Sequence, residues 1–168
     1  MRQSLLAIII GALTFMSVSV NAGSLSDEAG LNAVNPVCQS HLEEVEKSYN
    51  LNGLNLTFFH TQDPSSYPSL HTSTEKYENG ASFFSTTLSP DGERCYISIV
   101  KTTIVNNQSC SAIVEARLDN DSTLVANSYV EGNYIHLYPE SGAYQMLLVG
   151  IGEDVCAITE TRMMWPDP

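Results

Sequence analysis

The stretch ASFFSTTLSPDGERCYISIVKTTIV, residues 81–105, decides the fold. Ser-Pro-Asp-Gly at 89–92 separates two runs rich in β-branched and aromatic residues. Proline presets its own φ and glycine accepts a positive one, so the chain reverses there and the two runs form a hairpin. Antiparallel β structure is therefore the framework from which the rest is read.

The second run carries Cys95, and Cys110 follows shortly after it. A strand from Cys95 to Thr103 or Ile104 covers about 30 Å at roughly 3.3 Å per residue. The six or so residues left can return only about 20 Å, whereas bridged cysteines need α-carbons within about 7 Å. The two must bond elsewhere. Cys38, Cys95, Cys110 and Cys156 are even in number and form no CxxC, which in an oxidising compartment means two disulfides. Two pairings remain: Cys95–Cys156 with Cys38–Cys110, or Cys38–Cys95 with Cys110–Cys156. The first is expected, because it ties strand to strand and helix to helix.

Upstream, NPVCQSHLEEVEKSYNLNG (35–53) reads as an amphipathic helix with Asn35 as cap, Pro36 in the first turn, and Leu42, Val45 and Tyr49 on one side. LNLTFFH (54–60) reads as a strand. The segment that follows, to about residue 80, is poor in large apolar residues and holds two prolines. It reads as a long working loop. Tyr67, His71 and Tyr77 within it are the candidate partner-binding residues, tyrosine being a favoured interface side chain. SCSAIVEARL (109–118) fits a helix face and a strand face alike; Ser109 as a cap, with Ala, Glu and Arg beyond it, favours helix. From residue 122 onward, short apolar runs alternate with polar turns too short for parallel crossovers. The expected fold is α+β: an antiparallel sheet of about six strands with one or two helices packed on one face, braced by disulfides.

The chain opens with Met1-Arg2, an apolar run from Leu5 to Val20, and Val20-Asn21-Ala22. This is the pattern of a secretory signal peptide over 1–22, cleaved after Ala22. Residues 23–35, small and polar, read as a loose arm, and 36–168 as one domain. Arg2 leaves with the leader, so the remainder carries six Lys and Arg against 19 Asp and Glu, a formal charge of −13. That charge repels nucleic acid and anionic membranes and attracts a basic protein. No membrane insertion is expected after cleavage, and nothing in the sequence sets the oligomeric state.

Chemical constellations are sparse. Cys38 and His41 stand three apart, but two ligands do not hold a zinc ion and no matching pair exists. His60, Asp63, Ser65, Ser66 and His71 supply hydrolase residue types without a GxSxG elbow. The Asp-Asn-Asp-Ser run at 119–122 resembles the start of a calcium loop but lacks its glycine and closing glutamate. No catalytic residue, metal or cofactor is therefore assigned. The expected function is that of an exported, periplasmic or secreted, non-enzymatic binding protein, such as an inhibitor or immunity factor against a cationic cell-wall enzyme or toxin. The alternatives are a secreted hydrolase using the loop histidines and a structural envelope component.

Overall fold

A computed structural model of the chain describes residues 16–21 (backbone), 23–129 and 134–165. Residues 1–15 and Ala22, which hold most of the expected leader and the residue before its cleavage point, lie outside the described residues. Among the described residues, nine strands and three helices follow in the order β1 (Met16–Asn21), α1 (Leu25–Leu31), α2 (Pro36–Tyr49), β2 (Leu54–His60), β3 (Ser69–Tyr77), β4 (Gly80–Asp91), β5 (Arg94–Asn106), α3 (Cys110–Asn120), β6 (Leu124–Tyr129), β7 (Tyr134–Pro139), β8 (Gln145–Gly152) and β9 (Val155–Met164). The class is α+β. All strands join one antiparallel sheet in the order β1-β2-β3-β4-β5-β9-β8-β7-β6. Eight of them, β2 to β9, lie beyond the expected leader, where about six were expected.

The β4–β5 hairpin forms, with its turn two residues later than the Ser-Pro-Asp-Gly signal implies. Pro90 pairs with Cys95 inside the ladder, Asp91 pairs with Arg94, and Gly92 takes the positive φ of 62°. At the other end of β4, Gly80 lies against the Ile104 carbonyl oxygen so closely that any Cβ would collide with it. From β5 the chain crosses through α3 to the far edge, and β6 to β9 return strand by strand to β5. Both expected helices are present, each with its serine or asparagine cap: the Asn35 side chain accepts from the Val37 and Cys38 amides, and Ser109 from the Ala112 amide.

The disulfides are Cys38–Cys95 and Cys110–Cys156, and the pairing expected from the sequence is overturned. The physical reason is register. Val105 is the partner of Cys156 across β5 and β9, so Cys95, ten residues back along β5, lies about 33 Å from it at 3.3 Å per residue. Each helix is instead pinned to the strand beneath it. The same register fixes the layering. Cys95 and Val105 stand an even number apart on one strand and so face the same side, and Val105 lies beside Cys156. Both pinned helices therefore sit on one face of the sheet. α1 covers β2, α2 covers β4 and β5, and α3 covers β6, β8 and β9.

The core is accordingly divided. One buried cluster gathers Leu25, Leu42, Phe84, Leu88, Ile97 and Ile99 around the first bridge; the other gathers Ile113, Val114, Leu137, Met146, Leu148 and Ile158 around the second. A polar tie joins the halves. The Tyr49 hydroxyl donates to Glu160 Oε1 at 2.8 Å, and Lys101 Nζ stands 5.5 Å from the Tyr49 ring centroid. Burial, reinforced by the Glu160 carboxylate, pushes the Tyr49 hydroxyl up to about 12.

Two sequence expectations give way here. The loose arm at 23–35 contains α1, and the long loop at about 60–80 contains nine-residue β3. α1 is held in place by one carboxylate on α2. Glu46 Oε1 accepts from the Leu25 amide at 2.7 Å, while Oε2 accepts from the Ser24 hydroxyl at 2.8 Å, the Ser26 hydroxyl at 2.8 Å and the Ser26 amide at 3.3 Å. A carboxylate at a helix N-terminus satisfies amides that have no partner within the helix. Glu46→Ala is expected to destabilise the fold by about 2 kcal/mol. Hydrogen exchange should then accelerate at residues 25 to 29 well before it does in β4 and β5; uniform acceleration would contradict this account of α1.

Candidate functional site

The structure separates the three candidate partner-binding residues. Tyr67 lies in the short β2–β3 connection, half exposed, and stacks on His60 with ring centroids 4.3 Å apart. His60 Nδ1 in turn accepts from the Asp63 amide at 3.1 Å. Tyr77 ends β3, about 30 Å from Tyr67 along an extended chain. His71 lies between them with 0% of its surface exposed, which corrects its assignment as a contact residue. Its ring nitrogens meet the hydroxyls of Thr57 (Nδ1, 3.2 Å) and Ser69 (Nε2, 2.9 Å), and burial lowers its pKa to about 4. A serine does touch this histidine, and both are buried.

Tyr77 is held firmly. Its hydroxyl donates to Glu75 and meets Ser82 Oγ at 2.8 Å. Glu75 also accepts from the Asn52 amide at 2.6 Å. The bond to Glu75 raises the Tyr77 pKa above the usual phenol value.

The larger feature is the opposite face of the sheet. With three helices on one side, the other carries no helix among the described residues. Register aligns its side chains in rows across the strands. Leu54, Thr74, Phe83, Thr102, Thr159, Leu147, His136 and Asn127 form one row. Lys76, Ala81, Ile104, Ala157, Val149, Tyr134 and Tyr129 form the next. The Thr102 and Thr159 hydroxyls touch at 3.1 Å across the middle of the sheet. None of these positions is buried, and Phe83 is 48% exposed and Tyr134 42% exposed. Among the described strands, Asp91 at the far turn is the one carboxylate at an outward position.

Three carboxylates stand in the turns at one end of this face. Glu78 lies in the β3–β4 turn and Glu153 and Asp154 in the β8–β9 turn. Both turns flank Asn106, whose amide donates to the Asn79 carbonyl at 2.8 Å and which pairs with Val155. A cleft of about 420 Å³ opens at this end, with Phe83, Ala81 and Ile104 against Tyr77, Glu75 and Glu78. The floor is chiefly apolar and hydroxyl-bearing, with Lys76 at the end of one row and the carboxylates in the turns beside it.

Of the candidates, Tyr77 borders the cleft at this end, from the helix side of β3 where its hydroxyl meets Ser82; Tyr67 and His71 do not reach it. Phe83, Ile104, Tyr129 and Tyr134 were missed. Their signal lies in the sequence itself: Phe83-Phe84 and Ile104-Val105 put apolar residues on both sides of one strand, as a sheet with only one covered face does not require.

The chain matches no protein-family model, no curated protein and no solved structure. Its class is an α+β protein with three helices on one face of an antiparallel sheet, and its two disulfides belong to an oxidising environment. No helix among the described residues is long and apolar enough to cross a membrane.

Proposed function

We propose that the protein is an exported, periplasmic or secreted, non-enzymatic binding protein that captures a basic protein partner, as an inhibitor or immunity factor does. The uncovered sheet face is the contact surface. The observation that carries this reading is the separation of floor from border: Phe83, Ile104 and Tyr134 lie among small and hydroxyl-bearing neighbours, while Glu78, Glu153 and Asp154 stand in the adjoining turns. Desolvating uncharged floor residues carries little electrostatic penalty. Border carboxylates steer a cationic partner without being buried, so they act on encounter more than on residence.

Affinity capture from the source cell's envelope extract tests this with three baits side by side. The wild-type mature protein should retain a basic protein at low salt and release much of it at high salt. Phe83→Ala with Tyr134→Ala should weaken capture by at least tenfold, the loss expected of central interface aromatics. Glu78→Gln with Glu153→Gln and Asp154→Asn should chiefly flatten the salt dependence. Equal capture by all three baits would remove the uncovered face from the binding surface.

A further inference from the structure

The edge beside β2 is filled by a segment that export would remove. β1 pairs with β2 over six consecutive positions, from Met16 opposite His60 to Asn21 opposite Asn55. Residues 16–21 precede the expected cleavage point after Ala22. Export therefore takes away the edge strand and leaves one side of β2 with unpaired amides and carbonyls, a ready template for another strand.

We infer that the mature protein closes this edge with a second copy of itself, β2 against β2 in antiparallel register across a two-fold axis. The inference rests on the export reading proposed above. Three observations favour a second copy over a foreign strand. First, Leu-Asn-Leu-Thr-Phe-Phe-His is self-complementary about Thr57: Leu56 meets Phe58 and Leu54 meets His60 on the outer side, aliphatic beside aromatic. Second, β2 contains no lysine, carboxylate or proline, the devices that ordinarily keep an edge from pairing. Third, exposed apolar residues belong to this edge on both faces. Leu54 is 54% exposed on the uncovered face, and Leu31 is 84% exposed on α1, the helix that covers β2. A two-fold β2 contact is isologous and closes on itself. It would join two sheets into one and make the uncovered faces continuous.

The test is sedimentation velocity on the secreted protein, after intact mass has shown where it starts. A chain starting at Gly23 should be dimeric at micromolar concentration, and the uncleaved 168-residue chain, whose slot is filled, should be monomeric. Leu56→Lys with Phe58→Lys should give a monomer, because four ammonium groups then face one another across the axis. Amides of Leu54 to His60 in the wild-type mature protein should exchange slowly when concentrated and faster on dilution, a readout that does not depend on the variant folding. A monomeric chain starting at Gly23, with β2 exchange independent of concentration, would overturn the inference alone. A secreted mass that retains residues 16–21 would overturn the cleavage premise and the inference with it.

Discussion

Replacing Cys38 and Cys95 together by alanine is expected to lower the unfolding free energy by about 4 kcal/mol, from the chain entropy that a cross-link of this span removes from the unfolded state. The span is 57 residues, and the second bridge closes 46, so the two losses should be nearly equal. Their local consequences differ. The first bridge anchors α2, which carries Glu46 and so holds α1; the second anchors α3. Hydrogen exchange should rise first over α1 and α2 in one double variant and over α3 in the other. With both bridges gone the loss approaches about 8 kcal/mol, within the range of a whole domain's stability, and the chain should fail to fold. Urea denaturation of the three variants checks this. A loss well under about 1 kcal/mol for either pair would mean that the packed clusters hold the helices without the sulfur.

The second large effect is a dependence on pH from one histidine. His71 is neutral and fully buried, with a pKa lowered from 6.5 to about 4 by desolvation. Its hydroxyl partners do not choose between charge states, since each hydroxyl can donate or accept; burial makes the choice. Between about pH 6.5 and about 4 the unfolded chain binds the proton and the native chain does not, so stability falls as the pH is lowered through that window. The full loss is about 3 kcal/mol, complete below the native pKa. Carboxylates titrate in the lower part of the same range, so the comparison must be with His71→Gln. The stability difference between wild type and His71→Gln should shift toward the variant by about 3 kcal/mol between pH 7 and pH 4. A difference that stays constant across that interval would place the imidazole in contact with water.

The same histidine explains why β3 was not legible. Its inward positions are Ser69, His71 and Ser73, all polar; His71 and Ser73 face Thr57 and Asn55 on β2, and the three face Leu88, Thr86 and Phe84 on β4. Strand reading relies on apolar residues at alternate positions, and here the covered side is polar, so the pattern resembles a loop. α1 was hidden for a related reason: at seven residues it is too short to show a period, and its main anchor is a carboxylate on another helix. By contrast, the β4–β5 hairpin, α2 and α3 carry their own caps and turn residues, and all were legible. The disulfide pairing was not, because it depends on where β9 lies against β5, a register set by the whole sheet. The candidate site follows suit. Tyr77 could be picked out by residue type, but Phe83 and Tyr134 acquire meaning only once both bridges place the helices on one side.

The two bridges pin α2 and α3 to the same face, and among the described residues no helix covers the other. Peptide mapping of the unreduced protein by mass spectrometry is the most direct test of this placement. Fragments joining Cys38 to Cys95 and Cys110 to Cys156 are expected; fragments joining Cys95 to Cys156 or Cys38 to Cys110 would contradict the placement of both helices on one face.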